Sequence, residues 1–69
     1  MKRIPVNSSN VAEVGYDPSA NTLEVLFKNG GLYQYFDVPQ AVYEELIQAA
    51  SVGKYLNTQI KLVYRYARI

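Results

Sequence analysis

Residues 29–39 have the sequence NGGLYQYFDVP, and the chain reversal at its start decides which side chains face the core. An Asn-Gly pair between two runs of alternating apolar residues predicts a β-hairpin. The run before it is TLEVLFK, and the run after it is LYQYFDV. A change of one residue in the loop length would move every side chain of the returning strand to the other face of the sheet.

Two registers of this hairpin are open. With a two-residue loop, Tyr33 and Tyr35 point away from the core. With a three-residue loop over 28–30, both tyrosines point inward and Val25 pairs with Tyr33. The sequence favours the second register, because the first would bury Gln34 without a hydrogen-bond partner, which costs about 1–3 kcal/mol. The tyrosine rings would then be buried, with their hydroxyls at the rim.

The favoured register leaves three apolar side chains on the outer face of the sheet. We call them the outer-face patch: Leu26, Leu32 and Phe36. Contiguous exposed apolar surface of this kind marks an interaction site. The patch therefore predicts a protein partner or self-association.

The segments that flank the hairpin supply a further strand and two helices. NVAEVGYD predicts a strand over residues 10–17, and the turn DPSAN joins it to the hairpin. Pro39 suits the first position of a helix. Ser51 is a good N-cap, so a second helix begins at Val52 and runs to about residue 61–63. The ending YRYARI fits either a helical continuation or an extended tail.

The expected fold class is α+β, with a three-stranded antiparallel β-meander followed by two α-helices packed on one face. We expect a single domain over residues 1–69, in which residues 1–8 are flexible. No apolar run approaches the ~18 residues of a membrane span, and the N-terminus lacks the apolar region of a signal peptide. We therefore expect a cytoplasmic protein that does not associate with membranes.

The composition argues against catalysis. The chain has no Cys and no His, so it lacks thiol nucleophiles and disulfides as well as the commonest general base and metal ligand. Glu44 and Glu45 are adjacent on a helix and point in different directions, so they do not form a catalytic pair. We expect no enzymatic activity, no catalytic residue, no cofactor and no metal site.

Positive charge is concentrated at the C-terminal end. The net charge is only +1, but residues 54–69 contain no acid and four cations: Lys54, Lys61, Arg65 and Arg68. If the second helix continued to residue 68, these cations would lie on one ridge opposite the apolar stripe. Such a ridge is either a solvated face that suits the helix dipole or a phosphate-binding surface, with Tyr55, Tyr64 or Tyr66 stacking bases.

Two polar segments, SSN at 8–10 and SVGKY at 51–55, have the residue types of an anion site. They combine hydroxyls, a helix N-terminus and Lys54. The upstream glycine spacing of a P-loop is missing. The alternative interpretation is an N-cap followed by Gly53, a glycine that permits close packing.

The order of these segments resembles the KTSC domain family. The resemblance is carried from about Val6 to Arg68 by SSNVAEVGYD, LEVLF, a glycine-containing turn, Tyr33-x-Tyr35, Val38-Pro39 and YEELIQAASVGKYLNTQIKLVY. Tyr33, Tyr35, Ser51 and Gly53 belong to its most recognisable pieces. The family is named for the C-terminus of some lysyl-tRNA synthetases and also occurs as small stand-alone bacterial and phage proteins. The synthetase context of the family implies an RNA ligand, by analogy. We expect no aminoacylation, since these 69 residues contain no synthetase body.

Two functional hypotheses follow from the sequence. The first is a small non-catalytic module that binds RNA, in which the four C-terminal cations contact phosphates and exposed tyrosines stack bases. The alternative is a protein-interaction or oligomerisation module that uses the outer-face patch. Salt dependence separates them, because phosphate contacts weaken steeply with salt and an apolar interface does not.

Overall fold

Five antiparallel strands form one sheet in the computed structural model, which describes all residues from Met1 to Ile69. The strands are β1 (Arg3–Pro5), β2 (Val11–Asp17), β3 (Thr22–Phe27), β4 (Leu32–Tyr35) and β5 (Tyr66–Arg68), and they are neighbours in that order. The helices are α1 (Gln40–Gln48) and α2 (Val52–Tyr55), and α2 continues directly into a π-helical turn over Leu56–Ile60. The α+β class is confirmed.

The β3–β4 hairpin has the register that the turn chemistry favours. Val25 pairs with Tyr33, and Leu23 pairs with Tyr35. The Phe27 amide donates to the Gly31 carbonyl at 2.8 Å and closes the three-residue loop. Gly30 has a φ of +94°, a conformation that L side chains rarely adopt. Both tyrosines therefore lie on the inner face of the sheet, as predicted.

Strand β2 carries a bulge that the sequence pattern does not reveal. Strict alternation along the strand predicted over residues 10–17 would place Ala12, Val14 and Tyr16 on one face, but the register with β3 shifts between Val11 and Glu13. The bulge brings Val11 to the same face as Val14, and both are fully buried. The core face of β2 therefore begins with Val11, and Ala12 is only half-buried.

The prediction of three strands is wrong, because the sheet has two additional strands, one at each edge. Strand β1 lies within residues 1–8, where we expected flexibility, and β5 lies within the unassigned ending YRYARI. Each edge strand has three residues, and β1 ends at Pro5, which pairs with Glu13 of β2. Strands this short give almost no alternation signal, and proline or cations are common on sheet edges.

The second helix begins as predicted and ends slightly earlier. The Ser51 hydroxyl accepts a hydrogen bond from the Lys54 amide at 3.2 Å, which confirms the N-cap. The π-helical turn closes with the Lys61 amide donating to the Leu56 carbonyl at 2.9 Å. The chain then turns over 61–64 and returns as β5, so the ending is extended and not helical.

Both helices pack on the inner face of the sheet, as expected. The core consists of Val11, Val14, Leu23, Val25, Tyr35 and Val38 from the sheet and the segment after it, with Leu46, Val52, Leu56 and Ile60 from the helices. The outer face has no helix over it, and Leu26, Leu32 and Phe36 lie there half-buried, less exposed than predicted. None of the helices is long and apolar enough to span a membrane.

Candidate functional site

The helices leave one end of the inner face uncovered, and a cleft of about 720 Å³ lies there. It is bounded by the β3–β4 turn, by β4 and β5, and by the end of the π-helical turn. Its lining consists of Ser9, Asn10, Phe27, Lys28, Asn29, Gly31, Tyr33, Tyr35, Lys61, Leu62, Tyr66 and Arg68. This set contains three cations, four aromatic rings and no carboxylate.

The aromatic rings form the floor of the cleft. Phe27 meets Tyr33 edge to face, with ring centroids 5.5 Å apart. The ring of Tyr66 is tilted against Tyr33 at 5.9 Å and against Tyr35 at 5.8 Å. Tyr35 is buried, and its burial, followed by the neighbouring Tyr33 and Tyr66, raises its pKa to about 12. The phenols of the floor therefore include one that stays neutral far above physiological pH.

The cations of the cleft are free of ion pairs. The Lys61 Nζ atom lies 5.8 Å from the centroid of the Phe27 ring, and the Arg68 guanidinium lies 5.7 Å from that of Tyr33. Lys28 lines the same cleft. The ion pairs of the molecule involve only Arg3 and Arg65. Three uncompensated positive charges above a low-dielectric aromatic floor focus a potential that attracts anions.

Strand pairing explains why these residues meet. Tyr66 pairs with Tyr35, and Arg68 pairs with Tyr33. Since side chains alternate along a strand, Tyr66 and Arg68 point to the inner face while Ala67 points outward. The π-helical turn delivers Lys61 to the same place. The cleft is thus assembled from three separate stretches of the chain.

The predicted ridge of four cations does not form, because the helix ends before residue 61 and the chain reverses. Lys61 and Arg68 come together in the cleft, but the other two cations lie elsewhere. Arg65 donates to Asp37 Oδ2 at 2.7 Å and lies over the Phe36 ring at 5.6 Å. Lys54 lines a different cavity.

The tyrosines predicted to stack bases also divide into two groups. Tyr55 and Tyr64 are half-buried and pack against the core, and burial raises the pKa of Tyr55. Tyr66 is 59% exposed. Lys28 and Phe27 belong to the site without a local sequence signal, because only the placement of β5 shows that the β3–β4 turn faces the C-terminal cations.

A second, polar cavity of about 620 Å³ is lined by residues of the segments 7–10 and 50–58. A Cβ atom at Gly53 would lie 2.7 Å from Asn10 Oδ1, so a larger residue would displace the Asn10 side chain, and glycine suits the close approach of the two segments. The N-cap at Ser51 is observed, and the position of Gly53 agrees with a close-packing residue. The anion-site interpretation stays a prediction.

The outer face contains a polar network that is satisfied internally. Arg3 forms ion pairs with Glu13 and Glu24, and Gln34 Nε2 donates to Glu24 Oε1 at 3.0 Å. Glu24 is only 7% exposed. The hydrogen bond from Gln34 and the ion pair with Arg3 hold the pKa of Glu24 below its usual range, although its partial burial acts in the opposite direction.

Known proteins resemble this chain over nearly its whole length. The family model of the KTSC domain matches residues 7–66. A protein of Stutzerimonas stutzeri described as uncharacterised is 44% identical over 100% of this chain and 99% of its own length. The crystal structure of a KTSC domain protein from Yersinia pestis superposes with a TM-score of 0.95 at 35% identity, over 99% of this chain and 96% of that one. A lysine–tRNA ligase of a Nostoc species is 41% identical over 78% of this chain, which corresponds to 10% of the ligase.

Proposed function

The chain belongs to the KTSC domain family, and we propose that it is a non-catalytic binding module whose ligand is RNA. The cleft between the β3–β4 turn and β5 is the binding surface. Lys28, Lys61 and Arg68 contact phosphates, and the exposed ring of Tyr66 contacts bases. This proposal replaces the ridge with a cleft but keeps Lys61, Arg68 and Tyr66 from the residues predicted by sequence.

The observation that supports the proposal is the meeting of three unpaired cations with an aromatic floor. Cationic grooves that follow the backbone, combined with aromatic side chains on which bases stack, are the usual means of binding single-stranded nucleic acid. An anion without aromatic rings would use only the cations of the cleft, and an uncharged apolar ligand would use only its aromatic floor. The likeness to a segment of a lysine–tRNA ligase is compatible with an RNA ligand, although it concerns a different protein.

The test compares two variants that lose the same charge. The cleft variant is Lys28→Ala/Lys61→Ala/Arg68→Ala, and the matched control is Lys2→Ala/Lys54→Ala/Arg65→Ala, whose cations lie outside the cleft. Fluorescence anisotropy would measure the affinity for single-stranded RNA at several salt concentrations. Three phosphate contacts predict a slope of log affinity against log salt of about −2.

We expect the cleft variant to lose this salt-dependent binding and the control to retain it. Equal losses in both variants would mean that only net charge matters, and the cleft would not be the site. Retention of binding by the cleft variant together with its loss in the control would return the site to Lys54 and Arg65.

A second candidate function is self-association through the outer face. The Ile69 amide donates to the Leu32 carbonyl at 2.8 Å, so Ile69, which is 64% exposed, lies beside the outer-face patch. Leu26 pairs with Leu32 in the sheet, so the apolar side chains are adjacent. Sedimentation equilibrium of the unchanged protein and of Leu32→Lys would test it. A dimer that Leu32→Lys dissociates, and that salt does not weaken, would support this function.

A further inference from the structure

We infer that the cleft recognises one unpaired nucleotide, with its base stacked on Tyr66 and its phosphate held by Lys28, Lys61 and Arg68. The inference rests on the binding cleft of the proposed function and adds the form of the ligand. It requires a single-stranded or terminal nucleotide and excludes the side of a double helix. A free nucleoside monophosphate has the same chemistry and is a second source of the ligand.

The state of each aromatic ring identifies the stacking residue. Lys61 lies over Phe27, and Arg68 lies over Tyr33, so each of these two rings already has a cation near its face. Tyr35 is buried. The ring of Tyr66 is tilted by 50° against Tyr33 and by 41° against Tyr35, and 59% of the residue is exposed. One ring is thus available to a base, which limits the cleft to one stacked base.

The positions of the cations place the phosphate next to that base. Lys61 and Arg68 are held above rings of the floor, so their charges stay at the cleft while their stems lose little freedom on binding. Lys28 approaches from the β3–β4 turn. The amide and hydroxyl groups of Asn10, Asn29 and Ser9 line the same cavity and can hydrogen-bond to the base edge or the sugar.

The size of the cleft and the stacking of bases in a duplex both argue against binding of a double helix. Its volume of about 720 Å³ lies in the range of pockets that hold one small molecule, roughly 300–1,000 Å³. Leu62, which is 92% exposed, stands at the rim. The bases of a duplex are stacked on one another, and unstacking one costs a few kcal/mol. Tyr66 can therefore stack only on a base that is already unpaired.

The test uses a labelled 12-nucleotide RNA as a single strand and the same strand in a blunt duplex. Tyr66→Ile removes the ring but keeps a strand-forming apolar side chain, and Tyr66→Phe keeps the ring as the matched control. We expect the single strand to bind at least tenfold more tightly than the duplex. Tyr66→Ile should abolish that preference by weakening single-strand binding about tenfold or more, and Tyr66→Phe should preserve it.

Titration of adenosine 5′-monophosphate, followed by amide NMR shifts at Lys28, Lys61 and Arg68, provides a second readout. Equal binding of strand and duplex, unaffected by Tyr66→Ile, would overturn the inference while leaving RNA binding in place. Shifts with the nucleotide but no binding of either RNA would support the inference with the free nucleotide as its source and reject the RNA function. Absence of both responses would overturn both proposals.

Discussion

Arg65 and Arg68 are close in sequence, yet they lie on opposite faces of the sheet. Each guanidinium lies over an aromatic ring, at 5.6 Å from Phe36 for Arg65 and at 5.7 Å from Tyr33 for Arg68. The difference is the counter-charge. Arg65 is paired with Asp37, whereas no carboxylate lies within ion-pair distance of Arg68. A cation over a ring is thus common to both faces, and the absence of an acid distinguishes the candidate site.

The same contrast extends over the two faces. On the outer face, two ion pairs and a hydrogen bond connect Arg3, Glu13, Glu24 and Gln34, so the positive charge there already has carboxylate partners. At the open end of the inner face, Lys28, Lys61 and Arg68 have no such partners. Positive charges that lack an ion-pair partner at the surface cost little stability, and they remain available for an anion.

The largest effect that separates the two faces is expected from truncation of a leucine. Leu23→Ala, on the fully buried inner face, should lower the free energy of unfolding by about 3 kcal/mol, because it leaves a cavity among the helices. Leu32→Ala, on the half-buried outer face, should cost about 1 kcal/mol, since less area returns to water. Urea unfolding measures both. Equal losses would mean that the outer face is covered in solution, as self-association would require.

A smaller effect is expected from a side chain added to the outer face. A Cβ atom at Gly15 would lie 2.8 Å from the Lys2 carbonyl and 3.0 Å from Arg3 Cγ. Gly15→Val should therefore displace β1 and cost about 2 kcal/mol. Ala67→Val, in the same row of the sheet but exposed, is the control and should change stability by less than about 0.5 kcal/mol. Hydrogen exchange should show faster exchange of the β1 amides in Gly15→Val alone.

Low pH should lower the stability of the folded protein through protonation of Glu24 on the outer face. Its pKa is lower in the folded protein than its ordinary value of 4.5, so the unfolded chain takes up protons first as the pH falls. The resulting stability is present above about pH 4.5 and is lost as the pH falls through the folded pKa. Glu24→Gln should flatten part of this loss between pH 5 and pH 3. Asp17, whose pKa is lowered by the Ser19 hydroxyl, accounts for some of the remainder, and an unchanged profile in Glu24→Gln would contradict the role of the network.

Local chemistry made much of the fold predictable. Gly30 and the penalty for burying Gln34 indicated the hairpin register, and Ser51 indicated the start of α2. These features act over a few residues, so they can be read without knowledge of distant contacts. The register in turn placed Tyr33 and Tyr35 on the inner face, which is half of the cleft.

The other half of the cleft depends on tertiary pairing. YRYAR alternates in a way that suits a strand, but its spacing with Lys54 and Lys61 suits a helix equally well. The choice is made by hydrogen bonds from β5 to β4 and by the π-helical turn that ends α2, neither of which has a local sequence signal. For the same reason Lys28, far from the other cations in sequence, was not recognised as part of the site.

The substitution with the smallest expected effect on stability at neutral pH is Tyr35→Phe. Its effect at alkaline pH tests whether water is excluded from the inner face beneath the open cleft. Tyr35 is buried, and its pKa of about 12 lies above the ordinary value of 10. The unfolded chain therefore loses this proton first, and stability should fall as the pH rises from about 10 towards 12. Tyr35→Phe should leave stability at pH 7 nearly unchanged and remove part of the alkaline loss, as measured by urea unfolding at pH 7 and pH 11. Absorbance at alkaline pH should likewise show one fewer late-ionising phenol. An ordinary titration of Tyr35 would mean that water reaches the floor of the cleft. The aromatic floor would then be less shielded from solvent than the burial of Tyr35 indicates.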